Sequence, residues 1–85
     1  MKIVIEIAQY SPNNGIAIEW LDGSIVESKI VGNTMLLKAN KEGLTSLAQS
    51  LLTLAQEGVE PGNHIHFDEF NLLQDGSSEL VIERI

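Results

Sequence analysis

The fold of this chain is decided by the stretch NKEGLTSLAQSLLTLAQEG, residues 40–58. Its apolar side chains recur at helical spacing, and at ~100° per residue they fall within an arc of about 160°. The members of this apolar stripe are Leu44, Leu47, Ala48, Leu51, Leu52, Leu54 and Ala55. Asn40 is a predicted N-cap, Gly58 is a predicted C′ residue, and Pro61 prevents continuation. The pattern therefore predicts a helix over about residues 41–57, with one apolar face to bury.

Segments with period-two alternation lie on both sides of the helix and predict strands. These segments are residues 2–8, 16–21, 25–31, 64–68 and 79–84. Residues 34–38 are a short apolar run, and the pattern leaves open whether it forms a further strand. The apolar helix face has no second helix to pack on, so we predict a single α+β domain, residues 1–85. It has a mainly antiparallel sheet of five or six strands with the helix packed on one face, in the order β-β-β-(β)-α-β-β.

Composition predicts a domain without covalent cross-links. The chain has 85 residues, 44% of them hydrophobic, and no cysteine, so disulfides and thiolate zinc sites are excluded. The first residues, MKIVIE, lack the basic and apolar regions of a signal peptide. No stretch approaches the ~20 apolar residues of a membrane span. We therefore expect a cytoplasmic protein.

The formal charge lies in one half of the chain. Residues 1–41 carry four acids and four bases, whereas residues 42–85 carry eight acids and one base, Arg84, so the second half holds the whole net charge of −7. A one-signed surface attracts partners of opposite sign and repels nucleic acid and anionic membranes. We therefore expect a basic protein partner, no nucleic acid and no membrane. The alternative is an acidic face that only serves solubility.

His64 and His66 are the sharpest chemical feature, because residues two apart on a strand share a face about 6–7 Å apart. Two imidazoles at this separation could hold one metal ion, but a closed zinc site needs four ligands. Asp68 lies ~13 Å from His64 along the strand, so Glu79 or Glu83 would have to complete the site. We favour the alternative, ordinary cross-strand pairing on a polar face, and predict neither a metal nor another cofactor.

Catalysis is not predicted either. A histidine with an orienting carboxylate would allow a small hydrolytic domain, but the chain has no nucleophile elbow, phosphate loop or nicotinamide fingerprint. Trp20 alternates in phase with Ile16 and Ile18 and is predicted to lie in the core. The outward helix residues are neutral: Thr45, Ser46, Gln49, Ser50, Thr53 and Gln56. Such a face is either an unremarkable polar surface or one covered by a partner or by a second copy in a homodimer.

Three segments of the second half follow one another in a characteristic order. They are LLTLAQEG at residues 51–58, PGNHIHFD at residues 61–68 and GSSELVIE at residues 76–83. With this Gly-x-His-x-His segment after a helix and this Gly-Ser-x-Glu-Leu ending, the chain resembles the immunity protein 32 family of bacterial polymorphic-toxin systems. The resemblance covers about residues 44–83, and the first forty residues match only in general character.

The resemblance implies a small cytosolic protein that binds and neutralises a cognate toxin, and it implies no catalytic residue. Many toxin domains are cationic because their substrates are anionic, so an acidic inhibitor suits them electrostatically. We place the partner-binding surface on His64, His66, Asp68, Glu69, Glu79 and Glu83. The alternatives that remain are a small metal-binding or hydrolytic domain using His64 and His66, and a homo-oligomeric interaction module.

Overall fold

A computed structural model describes residues 1–13 and 15–85, and these form one helix and two small sheets. The elements are β1 (Val26–Val31), β2 (Thr34–Ala39), α1 (Lys41–Leu54), β3 (His64–Phe67) and β4 (Leu80–Glu83). Strand β1 pairs antiparallel with β2, and β3 pairs antiparallel with β4. The α+β class is therefore confirmed, and the undecided residues 34–38 belong to a strand. No helix among the described residues has the length and apolar character needed to cross a membrane.

The predicted sheet of five or six strands is wrong. The described residues form four strands in two separate two-stranded sheets, and residues 2–8 and 16–21 enter neither. The backbone in or beside these segments bonds instead to side chains of α1 and of the turn after it: the Leu21 N–H donates to Ser46 Oγ at 2.9 Å, and the Tyr10 N–H donates to Gln56 Oε1 at 2.9 Å. The alternating isoleucines predicted which side of these segments faces inward. Alternation does not specify which groups form hydrogen bonds with the backbone N–H and C=O groups.

Residues 1–13 and 15–21, which we call the N-terminal arm, are two irregular segments that bond to Ser46 of the helix and to Gln56 just beyond it. The predicted turn over residues 11–15 is closed by a bond from the Gly15 N–H to the Ser11 carbonyl at 2.8 Å, and its Asn14 lies outside the described residues. Ile16 and Ile18 pack against the core, as their phase predicts. The arm thus adds apolar contacts to the domain without adding a strand.

The N-terminus of α1 is fixed by the predicted cap. Asn40 Oδ1 accepts from the Gly43 N–H at 2.8 Å and from the Ile25 N–H at 3.0 Å, and Asn40 Nδ2 donates to the Gly23 carbonyl at 2.8 Å. One amide therefore joins the helix to the segment that enters β1. Gly43 allows the close approach, because a Cβ there would lie 2.5 Å from the Ile25 carbonyl oxygen and 2.8 Å from Val26 Cγ2.

The C-terminus of α1 comes earlier than predicted, at Leu54, with Ala55 as the C-cap. Gly58 is not the C′ residue, although its φ of +88° is one that favours glycine. The end of the helix is held from outside, because Arg84 Nη1 donates to the carbonyls of Leu54 at 3.0 Å and Gln56 at 3.2 Å. The single base of the second half thus satisfies carbonyl groups that the helix leaves free.

The helix is rotated relative to its apolar stripe. Its buried side consists of Gly43, Ser46, Leu47, Ser50, Thr53 and Leu54. Leu44, Leu51 and Leu52 of the stripe stay exposed. Burial of hydroxyls is tolerated here because the hydroxyls of Ser46 and Ser50 donate to helix carbonyls four residues earlier, at 2.9 and 3.1 Å. The expectation that the whole apolar stripe packs on a sheet is therefore wrong.

The core lies between α1 and the two sheets. Its buried members are Val26, Leu47, Leu54, Val59, Ile65, Phe67, Leu72 and Leu73. The segment at residues 73–78 closes the outer edge of β1, since the Gln74 N–H donates to the Val26 carbonyl at 2.8 Å and the Ser78 N–H donates to the Ser28 carbonyl at 2.7 Å. These bonds bring acidic residues of the second half beside the first strand.

Candidate partner-binding surface

The outer face of the β3–β4 sheet carries both histidines. Ile65 and Phe67 are buried, so His64 and His66 alternate with them and point outward, as predicted. His66 Nε2 lies 3.0 Å from Glu79 Oε2, with both side chains exposed. His64 Nδ1 lies 3.2 Å from its neighbouring Gly62 carbonyl. An exposed pair of this kind contributes little to stability.

The same face adds a further acid. His64 is the cross-strand partner of Glu83, and His66 is the cross-strand partner of the exposed Val81. Among the described residues, no three histidine, aspartate or glutamate side chains are grouped so that they could hold a metal ion. The arrangement matches a polar face with one His–Glu contact.

Asp68 and Glu69 lie in the turn that follows β3, where their carboxylates bind the chain itself. Asp68 Oδ1 accepts from the Phe70 N–H at 2.9 Å, and Glu69 Oε2 accepts from the Gly76 N–H at 3.1 Å. Both contacts order the loop that leads towards β4. The six predicted surface residues therefore divide between the β3–β4 face, which holds His64, His66, Glu79 and Glu83, and the turn beside it.

An acidic groove, which sequence reasoning missed, lies where the segment at residues 73–78 meets β1. It is about 460 Å³ in volume, and its ionisable and aromatic walls are Glu27, Glu69, Asp75 and Trp20. No lysine or arginine is among the described residues that line it, although the Glu27 carboxylate also lies 3.8 Å from Lys38 Nζ on the neighbouring strand. Glu27 comes from the charge-balanced half of the sequence, so neither the charge distribution nor local spacing indicated that these three acidic residues line one groove.

Trp20 belongs to this groove and not to the core. Its side chain is 45% exposed, so the predicted core position is wrong. Ile16 and Ile18 keep the predicted inward direction, but the chain then turns at Leu21, whose N–H is held by Ser46 of the helix. An indole beside three carboxylates forms a wall that suits an arginine or lysine side chain.

The neutral helix face is covered by the chain's own N-terminal arm. Ser46, Ser50 and Thr53 are buried. Gln56 Nε2 donates to the Ala8 carbonyl at 3.0 Å while its Oε1 accepts from the Tyr10 N–H. The arm therefore covers much of the face that we expected either to be plain polar surface or to be covered by a partner or second copy.

Comparison with known proteins places the chain in a sequence family. The sequence model of the family described as Immunity protein 32 matches residues 34–85, more than half of the chain. No curated protein and no solved structure matches. The matched region begins at β2 and includes the helix, the β3–β4 face and the acidic turn, whereas the N-terminal arm and β1 lie outside it. This chain belongs to the Immunity protein 32 family.

Proposed function

We propose that this protein binds a cognate toxin in the cytoplasm and neutralises it without catalysis, as a single-domain inhibitor. Membership of an immunity-protein family carries the proposal, since a toxin partner follows from that role. The charge distribution specifies the partner further. Eight acids and one base lie in residues 42–85, and a basic toxin domain is the partner that this sign attracts.

Two neighbouring parts of the surface are our candidates for the contact. The outer face of β3–β4 offers Glu79 and Glu83 beside the histidines, and the acidic groove offers Glu27, Glu69 and Asp75 beside Trp20. A toxin arginine entering the groove would meet carboxylates along its edge and an indole face, which is the pairing that guanidinium groups favour. The β3–β4 face would then supply the electrostatic attraction around this anchor.

Inhibition in this proposal is by occupation. A cleft that binds an anionic substrate presents cationic side chains, and a carboxylate-rich surface competes for them. Steric cover of the cleft follows from the same contact. The attraction between exposed charges weakens as ionic strength rises, because the Debye length falls from ~10 Å at 0.1 M to ~3 Å at 1 M salt.

The test is binding to the toxin domain encoded beside this protein, measured by calorimetry at low and high salt. We expect tight binding that weakens with salt, and we expect Glu79→Lys with Glu83→Lys to reduce it at least tenfold. The matched control is Glu6→Lys with Glu19→Lys, which changes the net charge equally on the exposed N-terminal arm. If both double variants lose the same affinity, the β3–β4 face contributes only through the net charge of the protein. Absence of binding at both salt concentrations would refute the proposal.

The groove has its own variant. Trp20→Ala should weaken toxin binding, and because more than half of the side chain is covered, the unfolding midpoint of the free protein is measured alongside so that affinity is compared where the variant is folded. Trp20→Phe keeps an aromatic face and should retain most of the affinity. Full affinity in Trp20→Ala would exclude the groove as an anchor and leave the β3–β4 face as the contact.

A further inference from the structure

Strand β2 has an open outer edge. In an antiparallel pair of strands, two kinds of opposite residues alternate. In one kind the backbone N–H and C=O groups bond across to the other strand, and in the other kind they point away from it. Val26 and Ser28 bond to residues 74 and 78, away from β2, so their partners Ala39 and Leu37 also point away from β1. Met35, which is opposite Ile30, continues this alternation. The N–H and C=O groups of Met35 and Leu37 therefore face outward, and no described residue bonds to them.

This edge lacks the usual protection. The outer edge of β1 is covered by the segment at residues 73–78, but β2 has no such cover among the described residues. Met35, Leu36 and Leu37 are 76%, 40% and 43% exposed, so the strand is apolar on both faces. Natural proteins block free edges with proline, charge, bulges or cover, and the centre of this strand has no proline and no charge.

We propose that β2 pairs with β2 of a second copy, in antiparallel orientation about a two-fold axis at Leu36. In this register Met35 lies opposite Leu37 of the partner copy, and the outward groups of both residues form backbone hydrogen bonds. Leu36 meets its own counterpart on the other face of the sheet. Every central cross-strand contact is then apolar, and the two hairpins form one four-stranded sheet.

The self-complementary register favours a second copy as the occupant, and the local charge disfavours a basic toxin. The β1–β2 hairpin carries Lys29 and Lys38 against Glu27, so its net charge is +1, whereas the whole chain carries −7. Two acidic molecules therefore meet here with the least repulsion, while a basic toxin is attracted elsewhere. Lys38 lies 3.8 Å from Glu27 of its own hairpin and faces Thr34 of the second copy. The two Lys29 side chains are three strand spacings apart, about 14 Å, which salt largely screens.

Site-directed cross-linking tests the register. The chain has no cysteine, so a single introduced thiol reports one contact. Leu36 would lie at a non-hydrogen-bonded antiparallel pair, where Cα atoms are about 4.5 Å apart and within the range of a disulfide. We expect Leu36→Cys to form a covalent dimer under mild oxidation. The matched control Lys29→Cys, exposed on the same face of β1, should form little covalent dimer under the same oxidation.

The molecular mass measured by analytical ultracentrifugation over a wide range of protein concentrations tests pairing at the β2 edge without a cross-link. We expect twice the 9.3 kDa chain mass for the unaltered protein. Met35→Pro removes an outward N–H and should give monomers, whereas Ile30→Pro, at the opposite position on the β1 side, should leave the dimer. Circular dichroism of both variants checks that the helix persists.

The outcomes separate this inference from the proposed function. A monomer at every concentration, with no Leu36→Cys cross-link, would refute the dimer while leaving toxin binding untouched. A dimer that survives Met35→Pro would place the interface elsewhere and refute this edge. Loss of toxin binding in Met35→Pro, with the unaltered chain monomeric, would make the toxin the occupant of β2 and also refute the proposal.

Discussion

Replacing Asn40 with alanine removes one side chain that ties three parts of the fold together. Asn40 caps α1 through the Gly43 N–H, holds the Ile25 N–H and donates to the Gly23 carbonyl. Loss of an N-cap costs about 1 kcal/mol of unfolding free energy. The other two bonds lie nearer solvent, and we assign them about 0.5–1 kcal/mol each. We therefore expect Asn40→Ala to lower the free energy of unfolding by about 2–3 kcal/mol.

This loss is large for a chain of 85 residues, whose stability at ~0.05–0.15 kcal/mol per residue is about 4–13 kcal/mol. It corresponds to a fall of about 10–20 °C in the unfolding midpoint. Urea unfolding followed by far-ultraviolet circular dichroism gives the free energy directly. The slope against urea should not change, because the buried surface is the same.

Two variants make the measurement specific. Asn40→Asp keeps both acceptor bonds and places a negative charge at the helix N-terminus, so we expect a loss below ~1 kcal/mol. Asn33→Ala, in the exposed turn between β1 and β2, should change stability by less than ~0.5 kcal/mol. Equal losses for Asn40→Ala and Asn33→Ala would refute the assigned role of Asn40 as a link between helix and strand.

Three other substitutions test how the helix is held, each by thermal unfolding. Gly43→Ala should destabilise by about 1–3 kcal/mol, although alanine favours helix, because its Cβ meets the carbonyl of Ile25; a stabilised variant would contradict this close approach. Arg84→Ala should lower stability by about 1–3 kcal/mol, because it leaves carbonyls at the end of α1 without a donor. Arg84→Lys should restore part of this loss, and an Arg84→Ala variant as stable as the unaltered protein would contradict the contact. Leu47→Ala should cost about 2–4 kcal/mol, and Leu44→Ala less than ~1 kcal/mol; equal costs would mean that the helix is rotated differently.

Features that depend on near neighbours were predictable from the sequence. The cap at Asn40 needs only a donor three residues later, and the outward direction of His64 and His66 needs only their alternation with Ile65 and Phe67. Both are as predicted. The α+β class followed from one helical period among alternating segments.

Features that depend on distant partners were not predictable. The segments at residues 2–8 and 16–21 alternate like strands, but their backbone bonds to Ser46 of the helix and to Gln56 just beyond its end. The rotation of the helix relative to its apolar stripe was not predictable either, because serine and threonine hydroxyls that donate to helix carbonyls can be buried in place of leucines. The acidic groove forms only when residues 73–78 close on β1, which no local pattern encodes.

The contact of Arg84 with the end of α1 has a consequence for the thermodynamics of association. The guanidinium donates to main-chain carbonyls and forms no salt bridge among the described residues, so the one cation of residues 42–85 does not pair directly with the carboxylates of that half. Mobile cations from the solution must therefore gather over those carboxylates. A basic partner that lands there displaces these ions into the bulk, and their gain in freedom favours the complex. We expect the heat of association to be small relative to its free energy, with entropy as the larger driving term.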